Sequence, residues 1–286
     1  MVFFSLLLGV GISLNSLRLP IIKKTAALLV LPTIGWFFWF LLIPLGIVGA
    51  YSFSTKGTYG GVEFHWNLDN YARAAEWVYL RVLGNSLLLA SLTAFFCLLL
   101  GYPMAYVMVT APRRWRSFLL ILVVIPFWTN FVVRAYATKL LFTHLHSDSW
   151  IVLVGMVTNY LPFMILPLYV SIEKFDFTLM EAARDLGATP VRVVKSILIP
   201  LTKKGIFTGL TLVFTPALGE FVIPDLLGGA RTMLIGNLIT EQFLKTRDWP
   251  FGSALSLLLV LVVMLSVGFF LSFQGRDEET PVSHET

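Results

Sequence analysis

The chain has 286 residues, 57% hydrophobic and 13% charged, with a mean hydropathy of +0.82. Soluble domains carry about 25% charged residues, so an ordinary soluble fold is excluded and a polytopic membrane protein is indicated. The net charge of +5 fits basic loops facing anionic lipid rather than nucleic-acid binding, and the single cysteine, Cys97, excludes an intrachain disulfide and a thiolate metal site.

Residues 1–17 are apolar but interrupted by Gly, Ser and Asn, and Arg18 follows. A secretory signal carries its charge ahead of the apolar run, so an interfacial segment, or a start assigned too early, is expected. After Lys23 and Lys24, residues 26–50 contain no charge and read as the first transmembrane helix. Residues 51–83 are polar and mixed, with turn signals at Gly57 and Gly60-Gly61, and read as an external loop carrying one amphipathic helix. The second span is 84–110, broken by Gly101 and Pro103, and the basic turn Arg113-Arg114-Trp115-Arg116 follows. The third, 117–133, is near the lower length limit for crossing and ends at Arg134 and Lys139, with an amphipathic connector to Trp150. The fourth, 150–172, holds Pro162 and Pro167; the fifth runs from 205 to about 224 through Pro216 and Gly219; the sixth is 251–273. The polar tail 274–286 is expected to be disordered.

The expected fold class is therefore all-α, a membrane protein of six transmembrane helices. Placing both termini in the cytoplasm puts 13 of the 21 Lys and Arg residues inside, including the Arg113–Arg116 turn and six around the central loop.

That central loop, 173–204, is the longest water-compatible stretch between apolar runs. Thr178 and Glu181 have capping-box spacing, so a short helix is expected over 179–186, stopped at Gly187, which can turn left-handed without a Cβ clash. Thr189-Pro190 then opens a second helix as N-cap and N1. Helix, glycine break and helix on a membrane surface make a docking device.

Enzyme chemistry has no footing in the chain. There is no His-Glu-x-x-His, no Gly-x-Ser-x-Gly and no Gly-x-x-x-x-Gly-Lys-Ser/Thr loop, so any ATP is bound by another chain. His144 and His146, two apart, would point to different faces of a helix. No metal or cofactor is expected. Glu220 lies inside the fifth span, where an acidic residue costs roughly 2.5 kcal/mol or more. With Asp225 it can line a path for a cationic solute; the alternative is an ion pair with Arg134 or with a partner subunit. Trp128, Asn130, Asn159 and Tyr160 can hold ammonium groups through ring faces and hydrogen-bonding side chains. Their alternatives are interfacial anchoring and helix–helix hydrogen bonding. Pro103, Pro126, Pro162, Pro167 and Pro216 are hinges or static kinks.

Glu181-Ala182-Ala183, then Gly187, Ile197 and Pro200, resemble the EAA loop of type I ABC-importer permeases, with Ile199 where the pattern usually has Leu. Trp66 to Tyr71 resembles an external-loop pattern of these permeases, and Pro126 to Asn130, Phe221 to Gly229, Ile235-Gly236-Asn237 and Arg247 to Gly252 further resemble the spermidine/putrescine subgroup. The resemblance implies a permease core over 84–273, with an N-terminal segment 1–83 and the tail 274–286 outside it. It also implies that Glu181, Ala182, Ala183, Gly187, Ile197 and Pro200 dock a cytoplasmic ATPase. The implied partners are two ATPase subunits, a second related permease, an external polyamine-binding protein and the bacterial inner membrane, with no nucleic acid. On this reading Glu220→Gln weakens polyamine uptake more than assembly. Importers of an iron complex, an oxyanion or a thiamine-like cation, and a self-contained secondary transporter, are the competing functions.

Overall fold

The computed structural model describes residue 30 and residues 32–57, 61–142, 149–228 and 232–275. The expectations for 1–17, Lys23, Lys24, His144, His146, Gly229 and the tail beyond 275 lie outside the described residues. By its contacts the chain divides into Met1–Ala50 and Tyr51–Thr286.

The first unit contributes most of helix α1, Pro32–Ser52. Its aromatic run is exposed, and Trp36 stacks on Phe40 with ring centroids 4.2 Å apart. A helix apolar on all sides is one that lipid covers. Its π-turn, Phe38–Leu42, precedes Pro44, which lacks the N–H that would continue the ladder.

The second unit opens with an antiparallel pair, β1 (Thr55–Lys56) and β2 (Val62–Glu63), and the short helix α2 (Asp69–Ala74). Asn70 is buried and donates to the carbonyls of Ser52 and Ser54 at 3.1 and 2.8 Å, pinning α2 to the turn that leads into β1. Helix α3 (Trp77–Thr110) follows, then α4 (Arg113–Trp128), α5 (Phe131–Leu141), α6 (Ser149–Glu173), α7 (Thr178–Asp185), α8 (Pro190–Leu201), α9 (Lys203–Leu218), α10 (Ile235–Leu244) and α11 (Trp249–Gly275). Arg73 donates to Asp248 at 3.1 Å and lies 4.1 Å over the Phe251 ring, while Asp248 also accepts from the Phe251 amide at 3.2 Å. These contacts join α2 to the start of α11, so residues 51–83 pack with the helices that follow.

Among the described residues four helices, α1, α3, α6 and α11, are long and apolar enough to cross a membrane, and counting each of the bent pairs α4–α5 and α8–α9 as one span gives six. At about 1.5 Å per residue, the 34 residues of α3 extend some 51 Å, well beyond the hydrocarbon core. It begins at Trp77, ahead of the expected 84, and ends where Ala111 is held extended by the following Pro112.

Two expected spans differ from the structure. The third is no continuous helix over 117–133: α4 stops at Trp128, and α5 leaves at 95°. The Asn130 side chain accepts from Val132 N–H at 2.8 Å and so starts a new helix within the stretch expected to span. The fifth ends at Leu218, with Gly219 as C-cap, instead of running to Pro224. The chain re-forms as a π-turn at Pro224–Gly228.

Helices α3, α6 and α9 pack together around a core that includes Cys97, Met156, Met164, Leu168, Val213 and Leu218. Cys97 is fully buried, with its Sγ 3.7 Å from the Val157 carbonyl. Small residues set the closest approach, as expected where lipid offers no solvophobic drive between helices. A Cβ on Gly205 would lie 2.3 Å from Ser171 Cβ, and one on Gly209 would lie 2.6 Å from Met164 Sδ.

Candidate functional site

The central loop is built as a helix, a glycine break and a second helix over a small apolar cluster. Helix α7 ends in a Schellman motif: Gly187 N–H donates to Arg184 O at 2.8 Å, and Ala188 N–H to Ala183 O at 3.0 Å. Gly187 has φ +84°, the left-handed conformation expected of it. Thr189 is extended (φ −66°, ψ 149°) and Pro190 occupies N1, as expected, although the Thr189 hydroxyl makes no cap bond. Underneath, Met180, Val193 and Leu198 form a small buried cluster with Tyr102, Tyr106, Phe175 and Phe177. Thr202, buried at the 69° bend between α8 and α9, meets the Tyr102 hydroxyl at 3.0 Å, which ties the loop to α3.

The expected capping box is corrected. Thr178 lies within α7, and its N–H and hydroxyl both donate to Asp176 Oδ1, at 3.0 and 2.8 Å. Asp176, two residues upstream of Thr178, thus occupies the amide that Glu181 was expected to bind. Those bonds from the Thr178 hydroxyl and amide hold the exposed Asp176 carboxyl below its ordinary value. A depressed pKa means the contribution is present above the unfolded value and is lost as pH falls through the folded one. Hydrogen exchange should therefore show the protection factor at Thr178 N–H dropping on acidification below the carboxylate range. Asp176→Ala should abolish that pH dependence; an unchanged pH profile in the variant would contradict the assignment.

With its side chain released from capping, Glu181 is exposed, as are Ala182, Gly187 and Pro200; Ala183 and Ile197 are half-buried against the cluster. Leu186 and Val191, at 90% and 76% exposure, flank the break. Between α6 and α9, an open groove of about 760 Å³ is lined by Leu166, Pro167, Val170, Lys174, Lys204 and Leu212, among others.

The second candidate set falls in two layers. Glu220, Tyr160 and Asn159 are buried, at 7%, 7% and 2% exposure. The Tyr160 hydroxyl donates to Glu220 Oε2 at 2.5 Å, while Oε1 accepts from the amides of Phe221, Val222 and Ile223 at 3.0, 2.8 and 3.3 Å. Glu220 is therefore enclosed and multiply hydrogen-bonded, not on an open face. Among the described residues the salt bridge is Arg73–Asp248, so the Arg134 pairing weighed for Glu220 is not formed. Asn159 Nδ2 donates to Gly155 O at 2.8 Å, leaving Oδ1 without a partner. Trp128, Asn130 and Asp225 are exposed, Trp128 to 82%. Phe127 packs edge-on to Phe163 at 4.8 Å, and Phe163 lies 6.2 Å from Tyr160, linking the α4–α5 break to the buried layer. Asn130 Oδ1 is engaged in its own cap.

Asp176 and the close-packing pair Gly205 and Gly209 are structural determinants that the sequence reading passed over. The glycines had a legible signal, two small residues one helical turn apart in an apolar run.

Residues 97–276 match the family model described as "Binding-protein-dependent transport system inner membrane component". The chain is 41% identical over 257 residues to the spermidine/putrescine transport system permease protein PotB of Escherichia coli (strain K12), covering 83% of this chain and 93% of that protein. It is 39% identical over 252 residues to PotB of Haemophilus influenzae, covering 82% and 88%. Its fold matches a solved bacterial ABC transporter involved in import of the acidic polysaccharide alginate, with TM-score 0.72 and 18% identity over 90% of this chain and 97% of that one. The helical architecture, the family match and the identity to these permeases agree: the chain belongs to the binding-protein-dependent transport system inner membrane components, as a multi-pass ABC-importer permease.

Proposed function

We propose that this chain forms half of the translocation pathway of an ATP-driven polyamine importer. Residues 84–273 act as its transport core, with 51–83 packed on the external end. The chain pairs with a second related permease, takes cargo from an external polyamine-binding protein and is driven by two cytoplasmic ATPase subunits that do the hydrolysis; both termini face the cytoplasm. The observation that carries the coupling role is the exposed short rod α7, ended by the left-handed Gly187, with Leu186 and Val191 bare beside the break. Glu181 and Ala182 offer the contact face, Ala183 and Ile197 brace it, and Pro200 leads into the bend at Thr202. ATPase closure moves this rod as a lever and reorients the spans.

The cargo assignment is supported by extensive identity to relatives named for spermidine and putrescine transport. Asp225 and Trp128, both exposed at helix breaks, supply a carboxylate and a ring face for ammonium groups, and Asn130 shapes the break beside Trp128. The test is uptake by vesicles holding the assembled importer, its binding protein and internal ATP, offered labelled spermidine, putrescine, sulfate, ferric citrate and thiamine. Polyamines should accumulate and the others should not. Accumulation of another solute with polyamines excluded would overturn the assignment.

A further inference from the structure

We propose that Glu220 is a positioning residue: with Tyr160 it clasps the turn bearing Asp225 onto α6, and its charge does not meet the cargo. The inference rests on the transport reading of this region but concerns how its wall is held. Glu220 and Tyr160 are each 7% exposed in the isolated chain, and a partner subunit can only reduce that exposure. Both oxygens of the carboxylate are engaged. One gathers the three consecutive amides that follow the end of α9, groups that would otherwise be left unpaired by the helix break, and the other takes the Tyr160 hydroxyl from across the bundle.

What hangs from this clasp is the segment that presents Asp225. Phe221 O accepts from Asp225 N–H at 3.1 Å and from Asn237 Nδ2 at 2.9 Å, so the residue next to Glu220 fixes both sides of the turn. A Cβ on Gly236 would lie 2.6 Å from Gly219 O and 2.9 Å from Glu220 O, so α10 is packed directly on the same backbone. On the α6 side, a Cβ on Gly155 would lie 2.4 Å from Leu227 Cδ1 in the π-turn. The turn is wedged between α6 and α10, and Glu220 is the polar link that closes it.

Glutamine separates clasp from charge. Its carbonyl oxygen can still accept the three amides, and its NH₂ can donate to the Tyr160 oxygen, so the clasp survives while the negative charge is lost. The importer carrying E220Q, E220A or Y160F is compared with wild type in nanodiscs for amide exchange at 221–223, and in vesicles for spermidine uptake. E220Q should keep the protection and transport within about threefold of wild type, E220A should lose both with uptake down about tenfold or more, and Y160F should fall between. E220Q failing as badly as E220A while amides 221–223 stay protected would overturn the inference, because only charge would then be missing. If E220A does not assemble, Y160F decides: unchanged exchange together with unchanged uptake would equally overturn it. Wild-type vesicles that ignore spermidine would defeat the transport reading alone, since the exchange comparison needs no cargo.

Discussion

Replacing Gly187 by valine is expected to uncouple the importer without unfolding it. Gly187 has φ +84°, and a Cβ there meets nothing within 4 Å, so the penalty is torsional and not a clash. A left-handed conformation costs a residue with a Cβ about 1–2 kcal/mol, and a β-branched side chain is worse served still. At 1.4 kcal/mol per decade, the equilibrium constant for forming the break correctly falls about five- to thirtyfold. The Schellman bonds from Gly187 and Ala188 loosen, α7 loses its defined end, and the proposed lever reaches the ATPase in the wrong orientation. Binding-protein-stimulated ATPase activity and uptake should fall together, while the complex still purifies intact. Asparagine, which tolerates the left-handed region, should fall between glycine and valine. A valine variant with normal stimulated turnover and normal uptake would refute this role for the break.

Gly205→Ala should do the opposite, weakening the bundle itself. The added Cβ would sit 2.3 Å from Ser171 Cβ and 2.9 Å from Pro167 O. Neither atom belongs to a flexible side-chain end, so α6 and α9 must move apart. Overpacking of this kind costs about 1–3 kcal/mol, and the loss falls on the close helix contact on which association in a bilayer depends. Thermal unfolding in detergent should show a lowered Tm, and Ser171→Gly in the same chain should recover part of it by removing the nearer atom. A single Gly205→Ala variant melting with wild type would contradict the crossing. The two glycines thus give opposite signatures: one leaves stability and removes coupling, the other removes stability first.

Local signals were legible in proportion to how little they depended on distant chain. Gly187 and Thr189-Pro190 act through their own backbone preferences, and both stand where their spacing placed them. The six apolar stretches were readable from length and composition, which do not depend on packing. The capping box failed because Asp176, just outside the four-residue pattern, competes for the same amide of Thr178. The third span was misread because the average over residues 117–133 is strongly apolar, and hydropathy does not register a 95° bend at Thr129-Asn130, where the Asn130 side chain caps the next helix at Val132 N–H. For Glu220 the sequence marked an acid expected inside the fifth span, whereas the structure places it two residues past the end of α9. Which partners it finds was beyond reach: Tyr160 lies 60 positions earlier, and the three amides converge only once α9 has stopped at Leu218. Arg73 and Asp248, 175 positions apart, are a second case of the same kind.

The most direct test of the central claim, that this bundle opens only when a separate motor grips α7, is solute accumulation in sealed vesicles. Vesicles carrying the permease pair, the ATPase subunits, binding protein and internal ATP should concentrate labelled spermidine, and omitting the ATPase subunits should abolish the gradient. Concentration of spermidine by the permeases alone, without nucleotide, would contradict it.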